Sequence, residues 1–459
     1  MVFASFAFLF WFLPLFLLAY AVVPRRARNL ALVLGSLVFY GWWRPHYVLL
    51  MLVSVAIDWA AARAMGEVGS GRRRKAWLLV SLAANLGMLA WFKYANLAVD
   101  TWNTLTPWPV EWERVLLPVG ISFFTFQSMS YTIDVWRGDV RPVRSFLDLL
   151  CFVSMFPQLV AGPVVRYRDV ERELQHRTVD LRQCSDGVLL FAIGLAKKVL
   201  IADSVAPLVD AVWAAEQPGL AAAWLGSFAF AVQIYFDFSG YSDMAIGLGL
   251  LLGFRFPSNF LSPYRAHSIT ELWRRWHVSL STWLRDYLYV PLGGNRHGEV
   301  RAMRNVMITM LLGGLWHGAS WNFLLWGGMH GALLVVERRL GKTAPYARLP
   351  LPVQVAITFV AWTLTMMVFR STTAGDLARM WSGVLGLHGV GTLPALGQDA
   401  PFAWGALALG LGIAFALPRS EQIVARCRPL VVLGCLGCGL VAVCHLLSGG
   451  FSPFLYFQF

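Results

Sequence analysis

Residues 303–336 read MRNVMITMLLGGLWHGASWNFLLWGGMHGALLVV. Two apolar runs, 303–316 and 320–336, flank a histidine set among glycines. The first run, about 14 residues long, covers roughly 21 Å as a helix, against a bilayer hydrocarbon core of about 30 Å. His317 is therefore expected inside a membrane, short of its far face. Gly313, Gly314 and Gly318 let backbones approach closely there. An ionisable side chain at that depth marks a functional site, or else a histidine satisfied by a neighbouring helix. The spacing alone does not separate the two. His330, in the second run, is expected to pack against another helix through one hydrogen bond.

Outward from this stretch, the same apolar pattern recurs. Roughly twelve candidate spans appear, near 2–23, 29–43, 46–62, 76–95, 114–135, 187–212, 222–253, 303–316, 320–336, 353–370, 402–417 and 429–447. The expected fold is an all-α polytopic membrane protein, with residues 1–459 as one membrane-embedded domain. Composition agrees: 58% of the 459 residues are hydrophobic and 14% are charged, where soluble domains carry about 25% charge. These values exclude a disordered chain, a collagen, a coiled coil and an ordinary soluble enzyme. The opening MVFASFAFLFWFLPLFLLAYAVV lacks a basic flank and a small-residue cleavage site, and is expected to be a retained first span.

The net charge is +13. In this setting basic residues set topology and meet anionic headgroups, so no nucleic-acid partner is expected. Arg25, Arg26 and Arg28 lie two spans before Arg63, Arg72, Arg73, Arg74 and Lys75, and these lie two spans before Arg137, Arg141 and Arg144. The three loops share one side, which the positive-inside rule makes cytoplasmic. Arg338, Arg339 and Lys342, then Arg419, Arg426 and Arg428, fall on that side too.

Three stretches resist reading as simple spans. Residues 145–162 are apolar yet lie between basic segments on one side, and are expected to be re-entrant or interfacial. Residues 222–253 are too long for one straight crossing and carry Asp237 and Asp243 amid Ser and Gly, so a break or kink is expected. Residues 254–302, rich in Trp, Tyr and Arg, suit the cytoplasmic membrane interface.

Within that interfacial stretch, His277 lies four residues after Trp273 and is expected on the same helical face. Arg274, Arg275 and Arg285 surround it. Either this is an interfacial helix with snorkelling arginines, or the guanidinium groups hold a phosphorylated donor. The turn LGGNRHG (292–298) offers backbone donors and Arg296, without the Lys-Ser/Thr of a P-loop. Asp237, Asp243, Lys197 and Lys198 are unexpected in apolar runs; the aspartates read as partners for buried hydroxyls or arginines, or as a proton or ion path. The six cysteines, Cys151, Cys184, Cys427, Cys435, Cys438 and Cys444, form no metal-ligand or disulfide pattern. No Walker, Rossmann, zincin or G-x-S-x-G motif occurs.

Four segments together resemble one family: FFTFQSMSYTIDVWRG (123–138), MFPQLVAGPVVRY (155–167), QIYFDFSGYSDMAIGLGLLLGFRFPSNFLSPYRAHSITELWRRWHVSLSTWLRDYLYVPLGGNR (233–296) and GGLWHGASWNFLLWGGMHG (313–331). The chain is similar to the membrane-bound O-acyltransferases, and within them to the polysaccharide O-acetylation branch, of which alginate acetylation is an instance. The motif-bearing core spans about 114–340; the last 120 residues match only loosely.

The resemblance implies a helical bundle around a funnel in the bacterial inner membrane. It implies that His317 matches the family's catalytic histidine and His277 a second polar position on the cytoplasmic side. It further implies acetyl-coenzyme A as donor substrate, with no permanently bound cofactor and no metal, and with Arg274, Arg275, Arg285 and Arg296 as the nearest guanidinium groups for its phosphates. A separate periplasmic or membrane-anchored acetyltransferase would pass the acetyl group to a polysaccharide acceptor. Trp316, Trp321 and Trp326 would shape an acyl tunnel, or pack against helices and lipid. D-alanyl transfer to teichoic acid shares the histidine, although the LGGNR turn resembles the acetylation branch more. A polysaccharide transporter and a non-catalytic anchoring subunit are the readings outside acyl transfer.

Overall fold

The computed structural model describes every residue except 69–70, 342–344, 394–395, 397–399, 427, 449–453 and 456–459. Lys342 and Cys427 thus lie outside the described residues. The architecture is all-helical, with no strand among the described residues. The apolar runs of the sequence are helical over most of their length; in the run 114–135 the helix starts only at Ile121. Among the described residues, five helices are long and apolar enough to cross a membrane: Tyr47–Val68, Arg72–Leu105, Leu220–Leu251, Leu351–Arg370 and Pro429–Leu447. Ala7–Val22 and Pro401–Ala416 are shorter apolar helices.

The chain forms two compact units. One comprises Met1–Val188 with Ala245–Pro257. Its apolar core includes a phenylalanine cluster in which Phe8, Phe12 and Phe16 meet Phe156 at centroid distances of 5.2–6.2 Å. Its polar core is Asp58, fully buried. The Asp58 carboxylate accepts from Ser81 at 2.6 Å, from Asn85 at 2.9 Å and from Ser128. The donors come from helices Arg72–Leu89 and Ile121–Arg137, so one carboxylate on Tyr47–Val68 ties three helices together. Buried polar groups are tolerated when bonded in this way. Residues 145–162 form two short buried helices, Phe146–Ser154 and Phe156–Leu159, rather than a span.

The other unit comprises Leu189–Met244 with Ser258–Phe459. Here the expected break in 222–253 does not occur. Leu220–Leu251 is one unbroken helix of 32 residues. Its small residues serve a crossing instead: a Cβ at Gly240 would lie 2.7 Å from the Gly194 carbonyl oxygen, and one at Gly194 would lie 2.5 Å from that of Gly240. Glycine on both sides lets these helices touch backbone to backbone.

The acidic and basic residues of these helices pair with one another. Lys197 reaches Asp243 at 2.7 Å and Ser420 at 2.7 Å. Lys198 reaches Asp237 at 2.8 Å and Asp203 at 2.5 Å. The partners of the aspartates are therefore lysines, the expected hydroxyl in Ser420 and the Leu455 amide, not arginines. A π-helical segment, Lys197–Asp203, follows Leu181–Ala196 and carries both lysines.

Candidate active site

Helix Ile269–Arg275 begins at Ser268, whose hydroxyl accepts from the Glu271 amide at 3.1 Å. It stops because Trp276 is extended and His277 takes a left-handed conformation, φ 43° and ψ 54°. A non-glycine residue rarely adopts that region, and histidine is among those that tolerate it best. Two backbone bonds hold it there. Residue 259 runs beside residue 278, with Val278 N donating to Asn259 O at 2.9 Å, and Leu261 N donates to Arg275 O at 2.9 Å. The break separates Trp273 from His277, so the expected shared helical face does not exist.

Trp273 belongs to another cluster. Its indole N–H donates to His330 Nδ1 at 3.3 Å. Thr365 Oγ1 donates to Trp362 O at 2.7 Å and lies 3.0 Å from His330 Nε2, from which it accepts. Both His330 nitrogens are thereby satisfied, and the residue packs helices as expected, through two partners rather than one.

His277 is different. It is fully buried, with Nδ1 3.2 Å from Asn259 Oδ1. The same oxygen accepts from the Ser279 amide at 3.2 Å and the Ser279 hydroxyl at 2.8 Å. A backbone N–H only donates, so the Asn259 atom it meets is the oxygen. Asn259 Nδ2 donates in turn to Ser242 Oγ at 3.0 Å. Facing an acceptor, Nδ1 of His277 must carry the proton. Nε2 then holds a lone pair, and it is buried without a hydrogen-bond partner among the described residues.

His317 ends helix Glu299–His317, which has 19 residues. The polar turn Glu299–Arg304 extends it beyond the apolar run, to about 28 Å. The added turn carries Glu299, Arg301 and Arg304 and leaves the apolar run itself short. His317 is buried by packing: the residue is 5% exposed. Its ring meets Trp326 at 5.2 Å and Phe369 at 5.6 Å, both edge-on. Gly314 and Gly327 make the helix crossing beside it, where a Cβ on Gly314 would strike the Phe323 carbonyl and one on Gly327 the Met310 carbonyl. Of the three tryptophans, Trp316 and Trp326 are buried at the site, whereas Trp321 is 59% exposed.

The fold brings the two histidines together. Their ring centroids are 6.3 Å apart. Trp316 contacts both, at 5.9 Å from His277 and 5.1 Å from His317. Phe238 closes the other side of His277 at 4.7 Å. At this separation the ring nitrogens cannot come within the roughly 3 Å of a direct hydrogen bond.

The four arginines do not stay together. Arg274 and Arg275 line a cavity of about 510 Å³ with Arg265, Arg419, Glu271 and Gln422. Arg275 is held by Glu271 at 2.5 Å. Arg285 is paired with Asp286 at 2.7 Å and Arg296 lies on an exposed turn; neither lines that cavity. The 292–298 turn is structural: its Gly293, Gly294 and Arg296 amides donate to Val290, Tyr289 and Gly293 carbonyls. Asn305 accepts none of these amides and instead donates to Leu292 O and Gly294 O at 3.1 Å. Those three amides are thus occupied and leave the turn few donors for a phosphate.

A family model described as MBOAT, membrane-bound O-acyltransferase family, matches residues 79–373. The chain belongs to this family. It is an acyltransferase of the membrane-bound class. Among curated proteins, the "Probable alginate O-acetylase AlgI" of Pseudomonas putida is 41% identical over all of both chains. The protein of the same name from Pseudomonas aeruginosa is 46% identical, over 84% of this chain and 75% of its own length. The "Peptidoglycan O-acetyltransferase" of Helicobacter pylori is 36% identical, over 83% of this chain and 79% of its own.

Asn259, Arg265 and Arg419 are site residues that the sequence reading did not single out. Asn259 sits 18 positions before His277, with no periodic relation to it. Its only cue is its place in the polar punctuation between two apolar stretches, in FPSNFLSP (256–263).

Proposed function

We propose that this chain takes acetyl groups from acetyl-coenzyme A at the cytoplasmic face and makes them available across the inner membrane for O-acetylation of an exported polysaccharide. The relatives' names support acetyl as the acyl group and a polysaccharide as acceptor; alginate is the acceptor two of them name. The reading includes a polytopic bundle of about twelve crossings around a funnel, with the basic loops cytoplasmic, and a separate acetyltransferase as final partner. The observation that carries it is the buried His277–His317 pair, 6.3 Å apart.

The chemistry needs a neutral imidazole. In this proposal the acceptor hydroxyl lies between the two rings. His317 removes its proton as the oxygen attacks the thioester carbonyl. The tetrahedral intermediate expels the coenzyme A thiolate, which takes the proton from the imidazolium and leaves as thiol. Ester and thiol replace alcohol and thioester, and His317 returns to its starting form. The Nε2 lone pair of His277 accepts a hydrogen bond in the gap and orients the reacting group, while Asn259 fixes which nitrogen faces it.

Asn259→Ala removes that constraint and is expected to lower kcat for acetyl transfer about 10²-fold, the scale of a misplaced reacting group. Asn259→Asp keeps an acceptor oxygen and is expected to retain much more activity. Equal losses in both variants would contradict the orienting role. Steady-state transfer of labelled acetyl by the two purified variants makes the comparison.

The 3′,5′-phosphates of the donor belong in the cavity of Arg265, Arg274, Arg275 and Arg419, where guanidinium groups form charge-assisted bonds to phosphate. Arg274→Gln with Arg419→Gln is expected to raise KM for acetyl-coenzyme A about tenfold with kcat nearly unchanged, as loss of uniform binding does. A fall in kcat at constant KM would place the phosphates elsewhere.

A further inference from the structure

The unit that contains the N-terminus holds a second arginine-lined cavity, of about 390 Å³. Arg25, Arg26, Arg28 and Arg177 line it, with Asn29 and Asp148 among the other walls. Four guanidinium groups thus face one carboxylate. That carboxylate is engaged, since Asn29 Nδ2 donates to Asp148 Oδ1 at 2.6 Å. No ion pair among the described residues involves any of the four arginines. Gathering like charges around a cavity is unfavourable unless an anion completes it.

Two of the arginines, Arg28 and Arg177, are held in place before any ligand arrives. The Arg177 guanidinium lies over the Phe254 ring at 4.7 Å and donates to Asn29 Oδ1. Asn29 is itself fixed by its second bond, to Leu174 O at 3.1 Å. Arg28 lies over the Tyr20 ring at 5.6 Å. Arg28 Nε and Arg177 Nη1 are buried and lack a hydrogen-bond acceptor among the described residues. Buried donors are nearly always satisfied in folded proteins, so two orphaned guanidinium N–H groups on one cavity point to a missing acceptor.

Position narrows the ligand. The apolar helix Leu13–Val22 ends three residues before Arg25, and the turn Arg25–Ala27 carries two of the arginines. An apolar helix end followed at once by a cluster of arginines sits where lipid phosphates lie. We propose that this cavity is a phosphate-binding site for the headgroup of an anionic lipid. The site stands apart from the acyl-transfer reading, because it uses none of the residues assigned to that reaction.

The test uses the purified full-length protein in neutral detergent. Phosphatidylglycerol is added in mixed micelles, and bound lipid is counted by native mass spectrometry; inorganic phosphate serves as the soluble competitor. The variants are Arg26→Gln, on the exposed turn where folding is least at risk, and the double variant Arg28→Gln, Arg177→Gln. Arg301→Gln, an exposed arginine of the other unit, controls for loss of a surface charge. Lipid retention is expected to fall about tenfold in the cavity variants, the worth of a lost charge-assisted bond, and to stay unchanged in the control. Displacement of the lipid by inorganic phosphate, with the same variant dependence, would support the phosphate site while making soluble phosphate its ligand. Equal retention in wild type and all variants, with no phosphate binding, would overturn the proposal.

Discussion

Replacing His317 by alanine is expected to remove acetate from the exported polymer while the protein still accumulates in the membrane. A positioned general base contributes about 10²–10⁴-fold to a rate, so even the lower figure leaves acetylation near background. The substitution also leaves a space beside Trp326 and Phe369. That space is lined by rigid aromatic rings, and the Gly314–Gly327 crossing does not depend on the imidazole. Folding should therefore survive. Polymer acetate content and the amount of membrane-inserted protein are measured together. Normal acetylation at normal abundance would remove His317 from the mechanism.

The second large effect concerns stability. Lys198 is 2% exposed and Asp237 3% exposed, with 2.8 Å between their charged atoms. Removing one member of a buried ion pair leaves the other uncompensated and costs about 3–5 kcal/mol. Lys198→Ala is thus expected to abolish most of the folded protein, because among the described residues Asp237 keeps only the Leu455 amide at 3.0 Å. Lys198→Met with Asp237→Leu and Asp203→Asn removes all three charges of the cluster and is expected to recover much of the loss, as replacement of whole buried ion pairs does. Thermal unfolding in detergent distinguishes the two variants. A single variant as stable as wild type would mean the pair contributes no structural constraint.

The helical, membrane-spanning character was legible because apolarity over membrane length is a local property of the chain. His317 was legible for a related reason, since a histidine among glycines stands out within a few residues. What could not be read was non-local. Lys197 meets Asp243 across 46 positions, and Asn259 meets His277 only after the chain has turned back on itself. The misread features share a cause. The length of 222–253 and its aspartates amid Ser and Gly pointed to a break or kink, yet Gly240 is there to admit Gly194 of another helix. Spacing placed Trp273 and His277 on one face, yet a positive φ at His277 divides the segment into two helices. Composition does not reveal which glycine bends a helix and which one lets a neighbour in, because the neighbour decides. The arginines show the same limit: Arg274 and Arg275 share a cavity with Arg265 and Arg419, while Arg285, equally close in sequence, spends its charge on Asp286.

Thioester chemistry at the paired histidines is the central claim. Its most direct test is release of free coenzyme A thiol from acetyl-coenzyme A by the purified chain in liposomes, with the partner acetyltransferase and polysaccharide acceptor supplied, wild type beside His317→Ala. The account predicts thiol release matched by acetyl transfer in the wild type and neither in the variant. Absence of release from the wild type under these conditions, or equal release from both proteins, would contradict it.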